Sequence, residues 1–244
     1  MASSSLLAKP FCVSHRAKGF GEIENSMAAL MAASQFGTSA IEFDLHHTKD
    51  NKTIVYHDEV FKRLIKGGAC PKGLNVHEVT LKEIDEKCLL ENGEKVPTFD
   101  EALKALSAFD STQFIELKDT ITEDDFETIK RYYSDRPEKV LIISFKPSAL
   151  AKVEKKRLED PFFKKVKTVL LKKYGYFGDF SKFDGVDLKY VHKSKVKKLK
   201  AQGKLVGVYT KDSKRKIKKY LKKGVDFITT NNTQLCQEII EELK

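Results

Sequence analysis

No stretch of the chain approaches the roughly 20 consecutive apolar residues that a membrane-spanning helix requires, so no transmembrane segment is expected. The cysteines are few and scattered. Cys12, Cys70, Cys88 and Cys236 include no CxxC pair, which excludes the usual zinc-site spacing and a dense disulfide framework; they read as four reduced thiols. The opening Met1–Pro10 has no basic stretch, and its apolar run is too short for a signal peptide. Internal repeats and linker-like composition are missing too, so residues 1–244 read as one domain. Together these absences predict a soluble cytoplasmic protein.

What is present begins with charge. A formal net charge of +10 favours encounters with phosphate esters, phospholipid head groups or nucleic acid. The lysine-rich stretch 193–223 arranges its charges around Val196, Leu199, Ile217 and Leu221 at helical spacing, as solvated faces of outer helices do. It has no interleaved aromatics and no nucleic-acid-binding motif, so no nucleic-acid partner is expected. Weak association with anionic membrane surfaces is compatible with the charge.

Short apolar runs alternate with helical patterns along nearly the whole length, the signature of a parallel sheet with helical crossovers. Candidate strands are 11–15, 40–46, 53–57, 113–118, 139–145, 167–171, 205–209 and 226–229. Eight strands predict a closed (β/α)8 TIM barrel of the α/β class. The run Asp184–Leu188 makes a ninth, so either it or 167–171 is expected to be partly irregular. Helix punctuation agrees: Asn25 or Ser26 caps Met27–Phe36 ahead of Gly37, Thr80 with Glu83 and Thr98 with Glu101 form capping boxes, and Thr122 and Ser213 open two more helices. Residues 59–97, with Gly67, Gly68, Pro71 and Gly73, read as an insertion after the third strand that covers the catalytic face.

Polar residues gather at the ends of these strands. By two-residue alternation Glu42 and Asp44 share one face of Ile41–Leu45, opposite an apolar face, and Glu116 shares a face with Lys118. Three carboxylates aimed inward repel one another and lose hydration unless a hard cation, Mg2+ or Ca2+, lies between them. His15 and His57, each ending a β-like run, supply a proton donor and acceptor near neutral pH. Arg16 and Lys118 balance phosphate charge. A structural ion pair between Glu116 and Lys118 is the competing reading. His46 continues the inward face by parity, towards a supporting or a surface role, while His77 and His192 read as solvated.

His15-Arg16, Glu24-Asn25-Ser26, Ala40–Asp44, Val55–Asp58, Val96–Glu101, Ile115–Lys118 and Ser144-Phe145, followed by Val208–Thr210 and Gly224–Thr230, resemble the ordered motifs of the glycerophosphodiester phosphodiesterase family. The resemblance runs from about residue 11 to 230. It implies a TIM barrel, metal ligands Glu42, Asp44 and Glu116, an acid–base pair His15 and His57, and phosphate contacts Arg16 and Lys118. The implied reaction is hydrolysis of a glycerophosphodiester to glycerol 3-phosphate and an alcohol, with initial attack by the glycerol 2-hydroxyl as one route. Four positions depart from the family pattern. Ala17 replaces glycine, Ile23 a proline, and Tyr209, a candidate substrate-pocket residue, the usual tryptophan; Asp212 stands near the expected asparagine.

Two other functions compete. One is a phospholipase D-like lyase acting on sphingomyelin or lysophospholipids, whose relatives are typically secreted and disulfide-bonded with an aspartate as third ligand; Glu116 and the apparent lack of a signal peptide speak against it. The other is a non-catalytic binder of anionic lipid or phosphorylated ligands, against which stand both histidines and all three carboxylates.

Overall fold

A computed structural model describes residues 9–66, 70, 73–174 and 179–243. Met1–Ala8, and with it most of the leader reading, lies outside the described residues, as do Gly67, Gly68 and Pro71 of the insertion. The strands are β1 (Phe11–Ser14), β2 (Ala40–His47), β3 (Thr53–Val55), β4 (Thr112–Leu117), β5 (Val140–Ser144), β6 (Lys167–Tyr174), β7 (Gly185–Tyr190), β8 (Leu205–Val208) and β9 (Phe227–Thr230). All but β3 pair in parallel, and β1 bonds both β2 and β9, so the sheet closes on itself as the expected (β/α)8 barrel.

The surplus run is β3, not 167–171 or Asp184–Leu188. β3 lies antiparallel to β2, with Leu45 opposite Val55 and His47 opposite Thr53. Only residues 48–52 connect the two strands, and a parallel return needs a crossover of a dozen or more residues. His57 therefore follows a hairpin strand folded back along β2 rather than ending a third barrel strand. The insertion leaves from that hairpin and has its own core of Tyr56, Phe61, Val76, Ile84 and Leu90.

The helices are α1 (Met27–Gln35), α2 (Leu81–Lys87), α3 (Phe99–Leu106), α4 (Glu123–Tyr133), α5 (Pro147–Glu159), α6 (Lys193–Ala201), α7 (Lys214–Leu221) and α8 (Thr233–Glu241). Ser26 caps α1 by accepting from the Ala29 N–H at 3.0 Å. Thr80, Thr98 and Thr122 close reciprocal capping boxes on α2, α3 and α4, each worth about 1 kcal/mol. Val196, Leu199 and Ile217 are buried against the barrel beneath the lysines, as their spacing predicts. Among the described residues no helix is long and apolar enough to cross a membrane.

Alternation divides the barrel interior into two ends. At the N-terminal end the rings of Phe11, Phe114 and Phe227 pack with Phe227 centroids 5.7 Å and 5.1 Å from the other two. A Cβ at Gly207 would lie 2.0 Å from the Phe227 ring, so only glycine fits there. Two residues further along the same faces, Phe114 gives way to Glu116 and Phe227 to Thr229. The C-terminal end is thereby polar.

The reduced-thiol reading is overturned. Cys12 on β1 is bonded to Cys236 on α8, and Cys70 to Cys88 within the insertion. Barrel closure places α8 against β1, which brings Cα atoms separated by 224 sequence positions to 6.1 Å. Linear spacing carries no trace of that approach.

Candidate active site

β2 and β4 pair with Asp44 directly opposite Glu116. Glu42 precedes Asp44 by two on the same inward face, so carboxylate oxygens of Glu42, Asp44 and Glu116 lie within 4.8 Å of one another. All three are buried. One Glu42 oxygen accepts the Arg16 backbone N–H at 2.8 Å, while the other, Oε1, is buried without a hydrogen-bond partner. Asp44 accepts from Asn25 Nδ2 at 2.8 Å and faces Lys118 Nζ at 2.8 Å and Arg16 Nε at 3.4 Å.

These neighbours sort the proton affinities. Burial and the adjacent carboxylates push Glu42 well above the carboxylate range. Burial and Asp44 raise Glu116 to about 7. Burial opposes ionisation of Asp44 as well, but Lys118 and Arg16 outweigh it and hold the group at about 2. Lys118 bridges Asp44 and Glu116, so the ion pair weighed from sequence exists, as one part of a larger set. Crowded carboxylates with an orphaned inward oxygen suit a hard divalent cation.

The turn after β1 carries the next layer. Arg16 and Ala17 have φ of 53° and 55°, a left-handed conformation that costs an L-residue about 1–2 kcal/mol. This bend aims the Arg16 N–H at Glu42. At this φ Ala17 carries strain that glycine would not. Glu24 receives Arg16, Lys18 and Arg63. Burial works against its charge, yet those three cations hold its carboxyl below the usual range.

Each histidine is held through Nδ1. Asn231 Nδ2 donates to Asp212 at 3.0 Å, which orients Asn231 Oδ1 to accept from His15 Nδ1 at 2.7 Å. His57 Nδ1 donates to Asp58 Oδ1 at 2.7 Å, and Arg63 Nε holds the other Asp58 oxygen at 3.0 Å. In both rings Nε2 is thereby the atom left for chemistry. Burial, reinforced by Arg16, lowers His15 to about 4. Burial also lowers His57, against the opposing charge of Asp44. A cleft of about 380 Å3 opens beside His57, Asp58, Glu116, Lys118 and Phe145. The larger cavity, about 680 Å3, opens at the other end of the barrel near Phe11 and Thr112 and holds no comparable constellation.

The structure adds residues that sequence reasoning passed over. Asp187 on β7 is buried, accepts from Thr229 Oγ1 at 3.0 Å and is pushed by burial to about 7. Alternation with Gly185 would have placed it inside. Lys211 is lowered by burial to about 8 and donates to the Lys189 and Tyr209 carbonyls at 2.9 Å and 2.6 Å. Tyr209 packs edge-on against Phe145, ring centroids 5.5 Å apart. His46 points inward as parity predicts, and His192 is exposed. His77 is exposed, as expected, and its Nε2 lies 3.3 Å from Asp119 Oδ1.

Comparison with known proteins bears on this arrangement. A glycerophosphodiester phosphodiesterase from Caldanaerobacter subterraneus subsp. tengcongensis is 30% identical over 156 residues, covering 60% of this chain and 63% of its own length. The chain thus spans less than two thirds of that relative. A solved glycerophosphodiester phosphodiesterase from Parabacteroides distasonis superposes with a TM-score of 0.78 at 27% identity, over 96% of this chain and 98% of its own. An Oleispira antarctica phosphodiesterase, solved in complex with the product sn-glycerol-3-phosphate, shares the fold with a TM-score of 0.80 at 20% identity, over 96% and 97%. The glycerophosphoryl diester phosphodiesterase family profile matches residues 15–235, from His15 of the first turn to beyond the last barrel strand, and the chain belongs to that family.

Proposed function

We propose that the protein hydrolyses glycerophosphodiesters to glycerol 3-phosphate and an alcohol, with residues 1–244 acting as one domain. The observation that carries this reading is the convergence of three buried carboxylates at the polar end of the barrel, beside two histidines that are held through Nδ1 and whose Nε2 atoms bond no group among the described residues. Glu42, Asp44 and Glu116 would hold Mg2+ or Ca2+, which when bound supplies Lewis-acid stabilisation of charge on the phosphoryl oxygens.

The chain's own groups divide the remaining work. His15, neutral above about pH 4, accepts the proton of the attacking hydroxyl at Nε2, and Asn231 keeps its Nδ1–H turned away. Of the two rings only His57 faces a carboxylate, Asp58, which works against the burial that lowers it and favours its imidazolium over that of His15, so His57 is assigned to protonate the leaving oxygen. Lys118 and Arg16 offset the phosphate's negative charge. Tyr209 and Phe145 form an apolar wall for the glycerol or head group.

The test is release of glycerol 3-phosphate from glycerophosphocholine and glycerophosphoethanolamine by the wild type, His15→Ala and Glu42→Ala, with and without chelator. Chelator-sensitive turnover that both substitutions abolish supports the reading. Turnover insensitive to chelator, or full activity in either variant, overturns it. One observation favours a second reading: the two disulfides suit an oxidising compartment rather than the cytosol, and they remove one argument against a lyase acting on lysophospholipids. A cyclic phosphate as end product, without glycerol 3-phosphate, would select the lyase.

A further inference from the structure

A second group of ligand atoms lies beside the acid centre and uses none of its residues. His46 on β2, His77 in the insertion and Asp119 just beyond β4 each offer one atom within 4.8 Å of the others. His46 Nδ1 is 3.2 Å from Asp119 Oδ2, and His77 Nε2 is 3.3 Å from Asp119 Oδ1. A tetrahedral zinc site with bonds near 2.0–2.1 Å has donor-to-donor edges of about 3.3 Å. Each imidazole nitrogen thus lies at about that spacing from one oxygen of the Asp119 carboxylate, and with one atom from each residue the set spans no more than 4.8 Å, so a small closure brings all three donors onto one ion.

The hydrogen bonding of His46 strengthens the case. Its Nε2 is 3.1 Å from the His57 carbonyl oxygen, which only accepts, so Nε2 carries a hydrogen. Its Nδ1 then faces a carboxylate, another group that only accepts. With that hydrogen on Nε2, the Nδ1 lone pair is directed at the Asp119 carboxylate, where a metal ion between the two would be bound by both. Metal-binding histidines commonly donate their other ring N–H to a carbonyl, as His46 does.

The surroundings hold the three groups in place. His77 sits in the turn Val76–Glu78, capped by Asn75 and lying between the two cysteines of the Cys70–Cys88 disulfide. Asp119 also accepts the His47 backbone N–H at 3.2 Å and has His47 Nδ1 at 3.7 Å and Lys146 Nζ at 4.0 Å. A cleft of about 430 Å3 lined by His77, Asp119, Thr120 and Lys146 gives water access for a fourth ligand.

We propose that His46, His77 and Asp119 form a second metal site for a transition-metal dication of the zinc class, separate from the hard-cation site at Glu42, Asp44 and Glu116. Two imidazoles and one carboxylate select zinc-class ions over Mg2+ or Ca2+. The ion would tie the insertion to the barrel and, through the bond from His46 to the His57 carbonyl, fix the backbone that carries the candidate acid.

The test titrates the metal-stripped, untagged full chain with Co2+, read by visible absorption, and with Zn2+, read by bound-metal content. Circular dichroism confirms that each variant is folded. The Co2+ band is expected in the wild type and in a Glu42→Gln/Glu116→Gln double variant. It should vanish in His77→Ala, a half-exposed side chain, and in Asp119→Asn, with Zn2+ content lower by one ion per chain. Loss of a direct ligand should weaken Zn2+ by more than the roughly 10–100-fold typical of supporting residues. Equal Zn2+ content and spectra in wild type and His77→Ala, or a band lost only with the Glu42/Glu116 pair, would overturn the proposal and leave a histidine–aspartate hydrogen-bond network.

Discussion

The two ligand clusters adjoin each other around β2 yet are built in opposite ways. Glu42, Asp44 and Glu116 come from two paired barrel strands and present only oxygen. His46, His77 and Asp119 come from one strand, one insertion turn and one loop, and present mainly nitrogen. The first is fixed by the barrel itself. The second depends on where the insertion is pinned, so perturbations of the insertion should separate the two.

The largest expected effect is on turnover. His15→Ala or His57→Ala should lower kcat for glycerophosphodiester hydrolysis by about 10²–10⁴-fold while leaving Zn2+ content unchanged, because the backbone carbonyl of residue 57 still receives His46. Equal loss of zinc would merge the two clusters into one unit. Next in size is Cys70→Ser/Cys88→Ser. Removing this crosslink should cost roughly 3 kcal/mol in a denaturant titration and weaken Zn2+ more than Mg2+ binding.

A pH effect of similar size belongs to His47, which donates to Asp125 at 2.9 Å. Burial opposes its charge, but Asp119 and Asp125 outweigh it and raise the group to about 9. A folded value above the ordinary 6.5 means that the stabilisation is complete below about pH 6.5 and is lost as pH rises through 9. The urea midpoint should fall across that window by up to roughly 3 kcal/mol equivalent, and His47→Gln should flatten the fall. The smallest effect is that of Ala17→Gly, which relieves a positive φ and should shift stability by no more than about 1 kcal/mol, measured by thermal melting.

The same contrast explains what the sequence could disclose. Two-residue alternation places Glu42 and Asp44 on one face and Glu116 and Lys118 on another, and strand adjacency in a barrel then brings the faces together. That logic is local, and the register of Asp44 opposite Glu116 agrees with it. It miscounted where a strand-like run, Thr53–Val55, met a connection too short for a crossover. Contacts set by the closed fold left no local mark: Cys12 with Cys236, Asn231 behind His15, and His77 folded onto Asp119. Asp187 was readable by the same alternation and was missed because its run was the apparent surplus strand.

The most direct measurement is glycerol 3-phosphate release from glycerophosphocholine by wild type and Glu116→Gln before chelation, after chelation, and after Mg2+ or Ca2+ is restored. The account predicts wild-type turnover that chelator abolishes and the added cation recovers, with no recovery in Glu116→Gln. Turnover that persists under chelation, or a Glu116→Gln protein as active as wild type, would contradict it.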